Sequence, residues 1–140
     1  MSDVLRILQA TSRAVIDLSD VRLLLRGGCA GRIASVDGRV VACLFSSAIP
    51  SGRRVDIIAV DPDHQRTGIG RLLLKRLRQS LSRLPESTEI HVLIRESLLP
   101  VQLFFRACGF HGVQTIPADG AEPQYLFAMT VLVGDDGTCW

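Results

Sequence analysis

The chain is poor in the residues that mark a metal centre, a disulfide framework or a membrane span. It has four cysteines, Cys29, Cys43, Cys108 and Cys139, and no two stand at C-x-x-C spacing. With no signal peptide ahead of them, they read as reduced, mostly buried thiols of a cytoplasmic protein. The three histidines, His64, His91 and His111, are isolated from one another, so no metal is expected. The apolar runs fall far short of the roughly 20 residues that cross a bilayer, so no membrane partner is expected. The net charge of +2 is too small to argue for nucleic acid. No internal repeat or low-complexity linker is visible. What remains is 140 residues, 47% hydrophobic and 21% charged, the composition of one globular domain over 1–140 with a real core.

The stretch that organises this domain runs from Asp56 to Arg71, Asp56-Ile-Ile-Ala-Val-Asp-Pro-Asp-His-Gln-Arg-Thr-Gly-Ile-Gly-Arg71. Val55, Ile57 and Ile58 are β-branched and predict a strand, which Pro62 stops. Thr67, Gly68 and Gly70 then bring bare backbone N–H groups to the start of a helix. Such a terminus is an anion site, because its first-turn donors are unpaired and the helix dipole favours negative charge. Without Cβ atoms the glycine backbone can lie against a phosphate. In the helix that follows, Ile69, Leu73, Leu77, Leu81 and Leu84 recur at helical spacing and define a buried face. Arg66, Arg71, Lys75, Arg76, Arg78 and Arg83 carry its charge with no acid among them. Arg66 and Arg71, beside the glycines, are assigned to phosphate; Arg76, Arg78 and Arg83 read as a solvated basic face. A P-loop is excluded by the missing Gly-Lys-Ser/Thr ending, and a dinucleotide fingerprint by Leu73 where its third glycine belongs.

Residues 1–28 read as two helices, the first capped by Ser2, the second by Ser19 or Asp20 and ended by Gly27-Gly28. Ile33 to Phe45 is a hairpin with Asp37-Gly38 at its tip. Pro50-Ser-Gly52 turns into the strand that ends at Val60. Pro85 breaks the basic helix, Glu89–Arg95 is the next strand, and a helix runs from Pro100 through Ala107 to Gly109. Gln124–Val133 is a final strand, and 134–140 is a flexible tail.

Gln65-Arg-Thr-Gly-Ile-Gly70 resembles the Q/R-x-x-G-x-G/A signature of the GNAT superfamily of N-acetyltransferases, and Ile58 to Arg66 resembles the strand and turn before it. Val101-Gln-Leu-Phe-Phe-Arg-Ala-Cys-Gly-Phe110 is similar to the family's A-x-x-L/F-Y-x-x-x-G-F helix. With Val92-Leu-Ile-Arg-Glu-Ser97, it looks most like the subfamily that acetylates the N-terminal alanine of a ribosomal protein. The resemblance covers roughly residues 20–133. It implies an α/β GNAT fold, a mixed, mostly antiparallel sheet splayed at its centre and flanked by helices. The usual first strand is not legible, which leaves a sheet edge for the second copy of a homodimer to cover. It also implies acetyl-CoA as cosubstrate and direct attack of an amine on the thioester in a ternary complex. Gln65, Arg66, Thr67, Gly68, Ile69, Gly70 and Arg71 would hold the pyrophosphate. Free backbone groups at Ile58, Ala59 and Val60 would pair with pantetheine amides and polarise the thioester carbonyl. Phe104 would lie along the coenzyme, while Leu103 and Phe110 read as core.

The sequence departs from the family where acid–base residues are expected. Leu93 stands for the glutamate, Leu98 for the asparagine and Phe105 for the frequent tyrosine. The side chains left are Asp56, on the strand before Val60, and Tyr125, the only tyrosine. Asp56 reads either as a catalytic group for the amine or as a partner for Arg53, Arg54 or a neighbouring strand, since an unpaired charge in an apolar strand is expensive. Glu96 is a weaker candidate. Deprotonating a lysine amine at pH 7 costs roughly 4–5 kcal/mol and an α-amine only about 1 kcal/mol. Sparse acid–base apparatus therefore favours a protein or peptide N-terminus, or a small amine, as acceptor. The same losses support an alternative, a degenerate GNAT domain that binds acyl-CoA as a sensor or partner module.

Overall fold

The computed structural model describes residues 30–65 and 67–134; the two N-terminal helices expected over 1–28, Cys29, Arg66, and the tail from 135 on, with Cys139, lie outside the described residues. The strands are β1 (Ala30–Val36), β2 (Arg39–Ile49), β3 (Gly52–Val60), β4 (Thr88–Arg95), β5 (His111–Ile116) and β6 (Gln124–Val131). The helices are α1 (Ile69–Ser82) and α2 (Leu99–Ala107), with a 3-10 turn at Pro62–His64. The strands form one mixed sheet in the order β1-β2-β3-β4-β6-β5. The described chain divides into two compact units, one running through Ala48 and resuming over Asp56–Arg76, the other made of Ile49–Val55 and Leu77 onward.

In the first unit, β1 and β2 are antiparallel, in register from Ala30↔Ser46 to Val36↔Arg39. Their turn has positive φ at both Asp37 (52°) and Gly38 (79°). Those are the dihedrals that match the twist of two joined strands, and Asp-Gly is the pair that tolerates them. Val41 to Ser46 are buried without interruption, so both faces of β2 are covered.

In the second unit, β4 and β6 are antiparallel from Thr88↔Val131 to Arg95↔Gln124. Ile90, Val92 and Ile94 of β4 and Phe127, Met129 and Val131 of β6 are buried. Alternation puts these side chains on one face. Phe105 of α2 and Phe110 after it are fully buried and meet edge to face, centroids 5.1 Å apart. Two such rings are the main anchors of this core, each burial stabilising by roughly 1.5–3 kcal/mol.

Four expectations need correction. Leu84 and Leu103 are not core: they are 43% and 54% exposed, because each sits past the stripe its helix buries. Arg78 is not on a solvated face but only 9% exposed; it falls one residue from Leu77, inside the stripe that Leu74, Leu77 and Leu81 define. The strand β5 was not expected at all. Five of its six residues are exposed, so the pattern that marks a half-buried strand is missing from it. Gly134, placed in the tail, is tied down by donating its N–H to the Ser82 carbonyl at 2.9 Å.

β3 and β4 are parallel, in register from Gly52↔Glu89 to Val55↔Val92. The register stops there, although β3 continues to Val60. The pair opens with a close approach: a Cβ on Gly52 would stand 2.1 Å from the Glu89 carbonyl oxygen. Backbone cannot yield as a flexible side chain can. Gly52→Ala is therefore expected to destabilise the fold by roughly 2–4 kcal/mol, read by urea unfolding.

Candidate functional site

The glycine loop is built from the end of β3. Asp61 is buried, its amide donates to the Val41 carbonyl at 2.7 Å, and its Oδ1 accepts from the Asp63 amide at 3.0 Å. It thereby caps the 3-10 turn that Pro62 opens, the use to which a short carboxylate at such a position is suited. The His64 amide closes the turn on the Asp61 carbonyl at 2.8 Å. The loop then locks itself. Gln65 Nε2 donates to the Val60 carbonyl at 3.3 Å, and the Thr67 hydroxyl donates to the His64 carbonyl. Gln65 and Thr67, both expected at the coenzyme, thus also shape the backbone that would meet it.

Gly68 has φ +84°, and nothing lies within 4 Å of the position a Cβ would take. Its carbonyl accepts from the Leu72 amide at 3.0 Å, the first bond of the α1 ladder. The amides of Ile69, Gly70 and Arg71 precede that ladder. No acid stands in the first turn, so the dipole's positive end is not neutralised by the helix itself. Gly70 is buried and Arg71 exposed. A left-handed glycine with open space, a run of first-turn amides and a cationic side chain together fit a diphosphate.

On β3, Asp56 is the first residue past Val55, where the register with β4 ends. It is half-buried, as are Ile58 and Val60, which share its face by alternation, while Ala59 is buried. Two of the backbone groups expected to be free have partners: the Val60 carbonyl takes Gln65, and the Ala59 amide bonds the Cys43 thiol. Burial pushes that thiol up to about 11, the Ala59 amide drawing it back only partly. Cys43 stays protonated and is no nucleophile; Cys108 is likewise buried and in no disulfide. Among the described residues, no group of three His, Cys, Asp or Glu side chains is placed to hold a metal ion.

The second unit holds the other candidates. Phe104 is half-buried and packs edge-on to Phe105, centroids 5.3 Å apart. Leu93 and Leu98, at positions where the family carries polar groups, are exposed, and Phe105 is sealed in the core. Tyr125 is half-buried on β6. Burial first, then the charge of Glu96, raise its phenol above the ordinary value. Sequence reasoning did not find the strap beside it. Glu122 accepts from both the hydroxyl (2.9 Å) and the amide (3.0 Å) of Ser97, just before α2. These bonds hold the Glu122 carboxyl below its ordinary value, with Arg95 assisting, so the strap persists at neutral pH. No local pattern marks a contact 25 residues apart in the chain.

A model of the acetyltransferase (GNAT) domain matches residues 29–112 of this chain, more than half its length. The chain belongs to that family, and so to the acetyl-CoA-dependent N-acetyltransferases. No curated protein sequence matches it. Among solved structures, it is similar to the ribosomal-protein-S18-alanine N-acetyltransferase of Escherichia coli, at 19% identity and a TM-score of 0.80, covering 99% of this chain and 92% of that one. Ard1 of Thermoplasma volcanium is 20% identical with a TM-score of 0.82, covering 94% and 90%. An acetyl-CoA-bound GNAT family acetyltransferase of Elizabethkingia anophelis is 16% identical with a TM-score of 0.70, covering 89% and 88%. At these identities the likeness establishes the fold.

Gly68→Val isolates the loop. With open space around the new side chain, the fold loses only about 1–2 kcal/mol from the left-handed φ. Coenzyme A affinity is expected to fall at least tenfold, on the order of 1.4 kcal/mol, in calorimetry alongside a thermal melt.

Proposed function

We propose that the chain transfers acetyl from acetyl-CoA to an amine by direct attack in a ternary complex, the acceptor being a protein N-terminal α-amine or a small amine. The observation that carries this is the left-handed, unobstructed Gly68 at the start of an acid-free helix turn. In this reading the amides of Gly68, Ile69 and Gly70, with Arg66 and Arg71, take the diphosphate, and Gln65 and Thr67 hold the loop in shape. The pantetheine arm is assigned to Ile58, Ala59 and Val60, and Phe104 is assigned to the coenzyme as well. Because the Ala59 amide and Val60 carbonyl already have partners, the Ile58 backbone and the second lone pair of the Val60 carbonyl are the groups offered to it.

Asp56 is assigned to the acceptor. It is a carboxylate on an otherwise apolar stretch, at the residue where β3 leaves its register with β4. Its negative charge would draw an ammonium in and orient the nitrogen. Tyr125 is the second side chain we assign to the amine. The reaction belongs, in this proposal, to the cytoplasm, where Cys43 and Cys108 would remain thiols. Among the described residues no helix is long and apolar enough to cross a membrane. A homodimer sharing a sheet edge is part of the same proposal, and sedimentation over a concentration series reads it.

Acetyl transfer to a panel of peptides and small amines tests the reading. Turnover with at least one acceptor is expected, and Asp56→Asn should lower kcat at least tenfold while coenzyme A affinity is unchanged. Tight coenzyme binding without turnover on any acceptor would instead identify an acyl-CoA sensor.

A further inference from the structure

A cavity of about 510 Å³ opens at the start of β4, with every lining residue in the second compact unit. None of those residues belongs to the glycine loop or to β3 past Gly52. Gly52↔Glu89 is the first pair of the β3–β4 register and Val55↔Val92 the last. The cavity therefore sits at the end of that pairing away from the point where β3 departs. Two of its walls are fixed to each other by backbone. The Glu89 amide donates to the Ser51 carbonyl at 2.9 Å, and Gly52 lies too close to Glu89 to admit a Cβ.

The lining is of two kinds. Ile49, Pro50, Leu84 and Pro85 are apolar, and the two prolines hold their φ whether or not a guest is present. Glu86 and Glu89 are acidic, and among the described residues that line the cavity none is cationic. Glu89 is oriented by its neighbour on the strand. His91 Nε2 stands 2.6 Å from its Oε2, which leaves Oε1 for a ligand. Thr88 supplies an independent sign. It lines the same cavity, and its hydroxyl oxygen is buried with no hydrogen-bond partner among the described residues. A buried hydroxyl left unsatisfied is costly, and a guest that donates an N–H to it would remove that cost.

Two carboxylates over apolar walls select a guest with a cationic head and an aliphatic body. The stem leaves water against Leu84 and the prolines, while the head donates charge-assisted hydrogen bonds to the acids. An anion is repelled by the same acids, and a neutral guest forgoes the ion pair. We propose that this cavity binds a small aliphatic amine in its ammonium form, the nitrogen held by Glu86 and Glu89. The site is separate from the acceptor position assigned to Asp56, and it stands whether or not the chain transfers acetyl.

Hexylammonium chloride, titrated into the full chain without acetyl-CoA, tests the site by amide NMR and calorimetry. Saturable shifts are expected at the amides of Ser51, Gly52, Thr88 and Glu89, complete by about 10 mM for so small a guest. Hexanol, which keeps the stem and lacks the charge, should bind at least tenfold more weakly, and hexanoate should cause no shift. Glu86→Gln and Glu89→Gln should each weaken hexylammonium about three- to fivefold, as exposed charge contacts do. Asp56→Asn should leave this affinity unchanged. Shifts that never saturate, or hexanol binding as tightly as hexylammonium, overturn the site with no variant needed. An affinity indifferent to both glutamate substitutions also overturns it. So does an affinity lost in Asp56→Asn, which would place the amine at the acceptor position instead. Acetyl transfer is read separately, by turnover on the acceptor panel, and survives each of these results.

Discussion

The parallel register between β3 and β4 runs for only four residue pairs, and much of the chemistry follows from where it stops. A strand that outlasts its register with one neighbour must find other partners for the N–H and C=O groups on that side, because a buried unpaired group costs about 1–3 kcal/mol. Past Val55, the Val60 carbonyl takes Gln65. The Ala59 and Asp61 amides face the other neighbour, β2, and meet its Cys43 thiol and Val41 carbonyl. The strand is thereby held extended up to the turn that Asp61 caps, and the glycine loop starts from a fixed point. A loop whose donors must converge on a diphosphate gains from such an origin, because nothing then has to be ordered when the ligand arrives.

Much of the fold was legible because its signals are local. Asp37-Gly38 set the hairpin, Pro62 and Gly68 bounded the glycine loop, and leucines at helical spacing marked α1. What was not legible depends on neighbours remote in sequence. The exposure of β5 removes the alternation by which a strand is recognised. Arg78 entered the buried stripe because burial on a helix is decided by what lies opposite it, which charge alone does not reveal.

The candidate site divides the same way. Gly68 could be read in advance because a glycine before a helix has few structural alternatives. Gln65 and Thr67 could be placed at the loop but not assigned an intramolecular partner, since a side-chain bond to Val60 or His64 depends on the path the chain takes. The strap between Ser97 and Glu122 was not legible because nothing in Arg-Glu-Ser says that a residue 25 positions later will reach it. Long-range register, here the antiparallel pairing of β4 with β6, is what turns two scattered polar residues into a pair.

The outermost strand carries a different lesson. β5 offers its far side to solvent with no lysine or proline to discourage a second chain, yet its register shifts between Gly112 and Gln114. One surplus residue breaks the even repeat that an incoming ribbon would have to match, and it twists the border out of plane. Colloidal solubility is then guarded by irregularity instead of charge, and trimming Val113 to tidy the border would expose a template for stacking.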